Sequence, residues 1–203
     1  MLKNKTFAFV GALALGFLTC MIILCFTAEK EAKAVSEGVL RFHIVAASDS
    51  AEDQALKLMV RDGIAELTDR LFASAANKEQ AIAIARANRD NIISAAESIL
   101  REQGCDDAVD MEIKKLDFPT KSYENITFPA GEYDAIHMTI GEGKGENFWC
   151  VMFPALCVGS VTEDNEELLS GVLGEGEMEL VTRPYTLKFK AAEWLGKLKK
   201  FFD

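Results

Sequence analysis

The sequence predicts an α+β fold: a mostly antiparallel sheet, two long antiparallel helices on one face, and a C-terminal amphipathic helix. Three observations lead there. Residues 39–46 alternate at period two, so that Leu40, Phe42 and Ile44 share one face and Arg41, His43 and Val45 the other. Two stretches then repeat apolar residues at spacings of three and four. Beyond Gly104 the period returns to two, and strands gathered after helices fit one sheet layered against them.

The N-terminus comes first. Residues 6–27 carry no charge, and a helix of about 20 residues crosses roughly 30 Å of hydrocarbon. Lys3 and Lys5 place the start of the chain in the cytoplasm and the chain beyond Thr27 outside. Residues 1–27 therefore read as a signal peptide or a membrane anchor. Ala32-Lys33-Ala34 has the small-x-small form of a signal-peptidase site, so cleavage and retention both stay open. Residues 28–38 read as a polar tether, and residues 39–203 as a single exported globular domain.

Ser50 followed by Asp53 is a capping signal for a helix over 51–74, with Leu56, Val60, Ile64, Leu67 and Leu71 on one stripe. Asn77 followed by Gln80 opens a second helix over 78–102, which ends near Gly104. The short connection predicts antiparallel packing. Val109, Met111 and Ile113 alternate with polar residues as a strand, and 122–128 is a further strand candidate. Residues 134–140 read as a strand, with a short helix over 133–140 as the alternative. After the turn Gly141-Glu142-Gly143-Lys144-Gly145, residues 148–153 read as another strand. Residues 159–179 are acidic and Gly-bearing and read as a solvated loop, with a single helical turn within it as the alternative. Pro184 precedes the final helix, with Leu187, Ala191, Trp194, Leu198 and Phe201 as its apolar stripe. Lys188, Lys190, Lys197, Lys199 and Lys200 form the polar face. Docking on the sheet is expected; a position on a membrane surface is the alternative.

Composition excludes some functions. The net charge is −10 over 203 residues, and without Lys3 and Lys5 it becomes −12. Phosphate binding needs positive charge, so nucleic acid and anionic lipid are not expected as the main partners. Cys150 and Cys157 frame a short apolar run. Export makes them a candidate disulfide, with two buried free thiols as the alternative.

The remaining chemistry is thin. His43 and His137 could meet on neighbouring strands, but no Cys or His cluster has zinc spacing, and no cofactor or metal is expected. The glycine turn lacks Walker spacing and better suits a tight turn. Ser48, Asp49 and His43 could form a hydrolase triad, yet no nucleophile elbow is present. Cys150 with His137 as base is a second hydrolase arrangement. Phe148-Trp149 reads either as core or as an exposed anchor for a protein partner.

Two stretches carry a resemblance. Leu40-Arg41-Phe42-His43-Ile44-Val45-Ala46-Ala47-Ser48-Asp49-Ser50, continuing Glu52-Asp53-Gln54-Ala55-Leu56-Lys57-Leu58-Met59-Val60-Arg61-Asp62, resembles the opening motif of the stage II sporulation protein R family. Tyr133-Asp134-Ala135-Ile136, then Ile140-Gly141-Glu142-Gly143-Lys144-Gly145-Glu146-Asn147-Phe148-Trp149-Cys150-Val151-Met152-Phe153-Pro154-Ala155-Leu156-Cys157, resembles its second. The family usually has Asn at the position of Ala47, Trp-Trp at Phe148-Trp149, and Pro-Pro at Pro154-Ala155. The resemblance implies a signal rather than a catalyst. Such a protein is exported from the forespore into the space between the two membranes. There it triggers a membrane-bound aspartic protease, stage II sporulation protein GA, which processes the sigma factor E precursor. The expected contact residues are Arg41, His43, Ser48 and Asp49 in the first motif, and Lys144, Asn147 and Trp149 in the second. An exported thiol or serine hydrolase of the cell envelope is the alternative.

Overall fold

A computed structural model describes residues 2–123, 126–157 and 163–183, together with Lys190, Ala191 and Trp194. Its first element is one helix, α1, Leu2–Gly38. β1, Leu40–Val45, comes directly after it. Three helices come next: α2, Ala51–Phe72; α3, Lys78–Ala87; and α4, Arg89–Glu102. Strands β2, Val109–Phe118, β3, Lys121–Tyr123, β4, Ile126–Phe128, β5, Gly131–Ile140, and β6, Asn147–Phe153, complete the β part. Two helices follow, α5, Glu163–Ser170, and α6, Glu175–Thr182.

The fold is α+β, and the main sheet is mixed. Its order is β2-β5-β1-β6, with β3 and β4 forming a separate hairpin. β5 pairs antiparallel with β2, and β6 antiparallel with β1. The central pair, β1 with β5, is parallel, bringing His43 opposite His137 and Phe42 opposite Ile136. Two of the three pairings are thus antiparallel, and the parallel pair at the centre is what departs from the expectation. Alternation dictates which face a strand buries and says nothing about the direction of its neighbour.

The sheet is covered on both faces. Leu40, Phe42 and Ile44 of β1 and Ile136, Met138 and Ile140 of β5 pack against Val60, Ile64, Ile92 and Leu100 of the helices. The opposite face carries a second core, in which Phe118, Phe128, Tyr133 and Val151 meet Val35 and Val39 and then Leu169, Leu173, Leu180 and Val181. Each fully buried aliphatic or aromatic side chain contributes about 1.5–3 kcal/mol. The second core explains why β1 is buried at all six positions rather than alternating.

Capping worked as expected at two helices. Ser50 accepts from Asp53 N, and Asn77 accepts from Gln80 N. The helix expected over 78–102 is instead two, broken at Asn88. There the backbone N–H and the side-chain Nδ2 both donate to Ile84 O, and the residue leaves the helical region at φ −108° and ψ 15°.

Residues 28–38 differ most from expectation. They are the last turns of α1, not an extended tether. Ala28, Val35 and Val39 are fully buried, and Lys78 Nζ, ion-paired with Asp134 at 2.6 Å, also donates to Ser36 O. The acidic stretch after Gly159 likewise yields α5 and α6, because Leu169, Leu173, Leu180 and Val181 face the second core. The strand reading of residues 134–140 stands over the helical alternative. The expected C-terminal helix lies outside the described residues except for Lys190, Ala191 and Trp194, of which Trp194 is 60% exposed.

Candidate functional site

The two loops at one end of the central strands interlock. β1 delivers Ala46–Ser50, and the β5–β6 connection folds over it. Gly145 N donates to Ala46 O at 2.9 Å and Lys144 N to Ala47 O at 3.2 Å. Gly141 and Gly143 hold φ of +54° and +61°, a region that side chains disfavour. Gly145 is needed for space: a Cβ there would lie 2.2 Å from Ser48 O.

α2 locks the junction from below. Ser48 Oγ donates to Asp53 Oδ2, and Gln54 Nε2 donates to Ser48 O at 2.8 Å. Lys57 is buried and donates to Gln54 Oε1 at 2.5 Å and to Glu146 O at 2.8 Å. Burial holds its ammonium below the usual lysine range, against the pull of Glu146 and Asp49. Lys57 is a site residue that sequence reasoning missed. Its position in the first motif was the available signal, but on a helix a lysine reads as solvated. Above this frame Asp49, Lys144 and Asn147 are exposed. Lys144 pairs with Glu142 at 2.8 Å on the surface, a contact of small energetic weight.

On the second face of the sheet, His43 stacks on Trp149 with centroids 3.8 Å apart and an interplanar angle of 2°. His137 approaches to 4.7 Å. His43 Nε2 lies 2.6 Å from Asn147 Oδ1, so the ring N–H donates there, while the buried Nδ1 has no partner among the described residues. Burial lowers the His43 pKa to about 4, with the Asn147 bond opposing and His137 and Lys114 adding to the shift. The ring is therefore neutral at pH 7. Burial also lowers His137.

Arg41 is fully buried, so it offers no surface to a partner, contrary to its expected place among the contact residues. It sits in an aromatic cage, with Phe118 at 4.5 Å, Phe128 and Tyr133 at 5.2 Å, and Tyr123 at 5.9 Å from Cζ. Nε donates to Cys150 O at 3.0 Å and Nη2 to Tyr123 Oη at 3.1 Å, and Tyr123 Oη donates on to Trp149 O. Burial lowers its pKa. Cation–π attraction from four rings stands where a carboxylate would otherwise be required. His43 is nearly buried too, and Trp149 is half-buried against it. Of the seven expected contact residues, the structure brings Ser48, Asp49, Lys144 and Asn147 together at the loop end and turns Arg41 inward.

Neither hydrolase arrangement forms. Cys150 is bonded to Cys157. It also faces the helical core, whereas His137 lies on the opposite face with His43. Ser48 is held by Asp53, and His43 by Asn147. Among the described residues no group of three or more His, Cys, Asp or Glu is placed to hold a metal.

Fold and site together describe a compact α+β domain continuous with a long apolar helix, and a surface loop pair held rigid by buried polar groups. The sequence profile of stage II sporulation protein R (spore_II_R) matches residues 36–163. The chain belongs to that family. It is 35% identical over 129 residues to stage II sporulation protein R of Bacillus subtilis (strain 168), covering 64% of this chain. The match spans 58% of that relative's length. No solved structure matches the chain. Both motifs fall within the matched region.

Proposed function

We propose that this is an exported, non-catalytic signalling protein of sporulation. It acts in the forespore intermembrane space by binding the membrane-bound aspartic protease, stage II sporulation protein GA, and so promotes processing of the sigma factor E precursor. Membership of a sporulation family carries this reading. Two structural features support it: an apolar helix from Phe9 long enough to cross a membrane, and a loop pair held in one shape. A ligand that prefers the active form of its target shifts the population toward it, and a preorganised surface loses less freedom on binding. Asp49, Lys144 and Asn147 are the residues proposed to meet the protease, with Ser48 at the edge.

The test is deletion of the gene in a sporulating strain, followed by an immunoblot for the sigma factor precursor. Accumulation of unprocessed precursor is expected, and normal processing refutes the proposal. Complementation with a chain carrying Asp49→Ala, Lys144→Ala and Asn147→Ala, exported at the normal level, is expected to restore processing poorly.

A further inference from the structure

α1 changes character within one helix. Up to Phe26 its large apolar side chains lie open: Phe9, Phe17, Ile23 and Phe26 are each about two-thirds exposed. From Ala28 onward the same helix belongs to the second core. Ala28 and Val35 are fully buried, and Ala32 packs against that core. Val39, the residue between α1 and β1, is fully buried as well, so no linker separates the apolar helix from the sheet.

The packing of this stretch is close. A Cβ on Gly38 would stand 2.7 Å from Leu173, and one on Gly176 would stand 3.2 Å from Glu31. Lys78 Nζ, ion-paired with Asp134, donates to Ser36 O at 3.4 Å. The peptide bond after Ala34, where a signal peptidase reading Ala32-Lys33-Ala34 would cut, lies inside this packed helix. The bond from Ser36 Oγ to Lys33 O, at 2.9 Å, and the Lys33–Glu37 ion pair, at 3.5 Å, both span it. Cutting there would take Ala28 and Ala32 out of the domain. It would leave Val35–Gly38, about one turn, which is too short to hold a helix by itself.

We infer that α1 stays on the chain after export as a membrane anchor built into the domain, and that Ala32-Lys33-Ala34 is not a processing site. The apolar part needs hydrocarbon around it, because so long a helix with its large apolar side chains open to water is not a soluble element. The buried part needs the domain. One continuous helix serves both, and at 1.5 Å per residue it holds the start of the sheet about 20 Å beyond Phe26. The domain is therefore carried on a short rigid stem, not on a flexible tether. The six residues of β1 place the loop pair about 20 Å further along the strand, so stem and sheet hold it in one orientation to the bilayer. The inference does not depend on what the loops bind.

The full chain, tagged at its C-terminus, is expressed in a bacterium that has signal peptidase, and the membranes are washed with alkaline carbonate. Intact mass and N-terminal sequencing of the pellet are expected to show a chain that still carries residues 9–26. A product that begins at Val35, or at any residue past Phe26, overturns the inference. So does release of the intact chain by carbonate. Thermal unfolding of the detergent-solubilised full chain tests whether the anchor is part of the fold. Val35→Ala keeps the helix but removes buried methyl groups, and should lower the melting temperature by about 5 °C. Ala34→Pro breaks the helix and should lower it by on the order of 10 °C. A native melting temperature in either variant would show residues 28–38 to be a loose tether and overturn the built-in anchor.

Discussion

Gly145→Ala tests the loop lock directly. The added Cβ would stand 2.2 Å from Ser48 O, and that oxygen belongs to backbone that also accepts from Gln54. Neither side can yield by rotating a side chain, so the β5–β6 loop must lift. Lifting removes the bonds from Gly145 N to Ala46 O and from Lys144 N to Ala47 O, together about 1–3 kcal/mol. It also takes Glu146 O from the buried Lys57 ammonium, adding about 1–3 kcal/mol. At about 2–4 °C per kcal/mol for a domain of this size, the melting temperature should fall by on the order of 10 °C. Thermal unfolding by circular dichroism measures this, and faster amide exchange at Lys144 and Gly145 locates it. Gly171→Ala is the control, because its Cβ would make only ordinary contacts at 3.5 Å. Equal stability of the two variants would refute the claim that the loops are locked by close approach.

The same contacts set further outcomes. His43 is held near pKa 4 in the fold against 6.5 unfolded, so the unfolded state takes up the proton first as pH falls. Stability is full above pH 6.5 and declines as pH drops toward 4, by up to roughly 3 kcal/mol; His43→Gln should flatten that part of a urea-midpoint profile. Arg41→Ala leaves Cys150 O and Tyr123 Oη without their donor and opens a void among four rings, costing about 3–5 kcal/mol by urea denaturation. Replacing Cys150 and Cys157 together by Ser opens a loop of sequence separation 7, lowering stability by about 2–3 kcal/mol in the chain-entropy account, with no further loss on adding reductant.

Several features were legible without coordinates because they depend on near neighbours. The side chain of Ser50 reaches the N–H three residues on, and so does that of Asn77, so helix starts could be read from spacing alone. The alternation of β1 put Leu40, Phe42 and Ile44 on one face, and that face packs against the helices. The uncharged run of residues 6–27 is a matter of composition, and α1 is the one candidate membrane span among the described residues. The two motifs sufficed for the family.

Other features belong to the tertiary structure, because they join residues that are remote along the chain. The parallel pairing of β1 with β5 links positions nearly a hundred residues apart, and no local period encodes it. Arg41 and His43 read as the wet side of a half-buried strand. Only the second layer, from α1, the β3–β4 hairpin and α6, makes that side interior, enclosing one in aromatic rings and pressing the other on Trp149. Lys57 is ordinary on a helix until the opposite loop arrives to accept its hydrogen bond. Period, charge and capping thus determined the elements and the apolar helix. Long-range packing alone decided which polar groups became the buried frame of the surface loops, since burial is a property of what a distant segment covers.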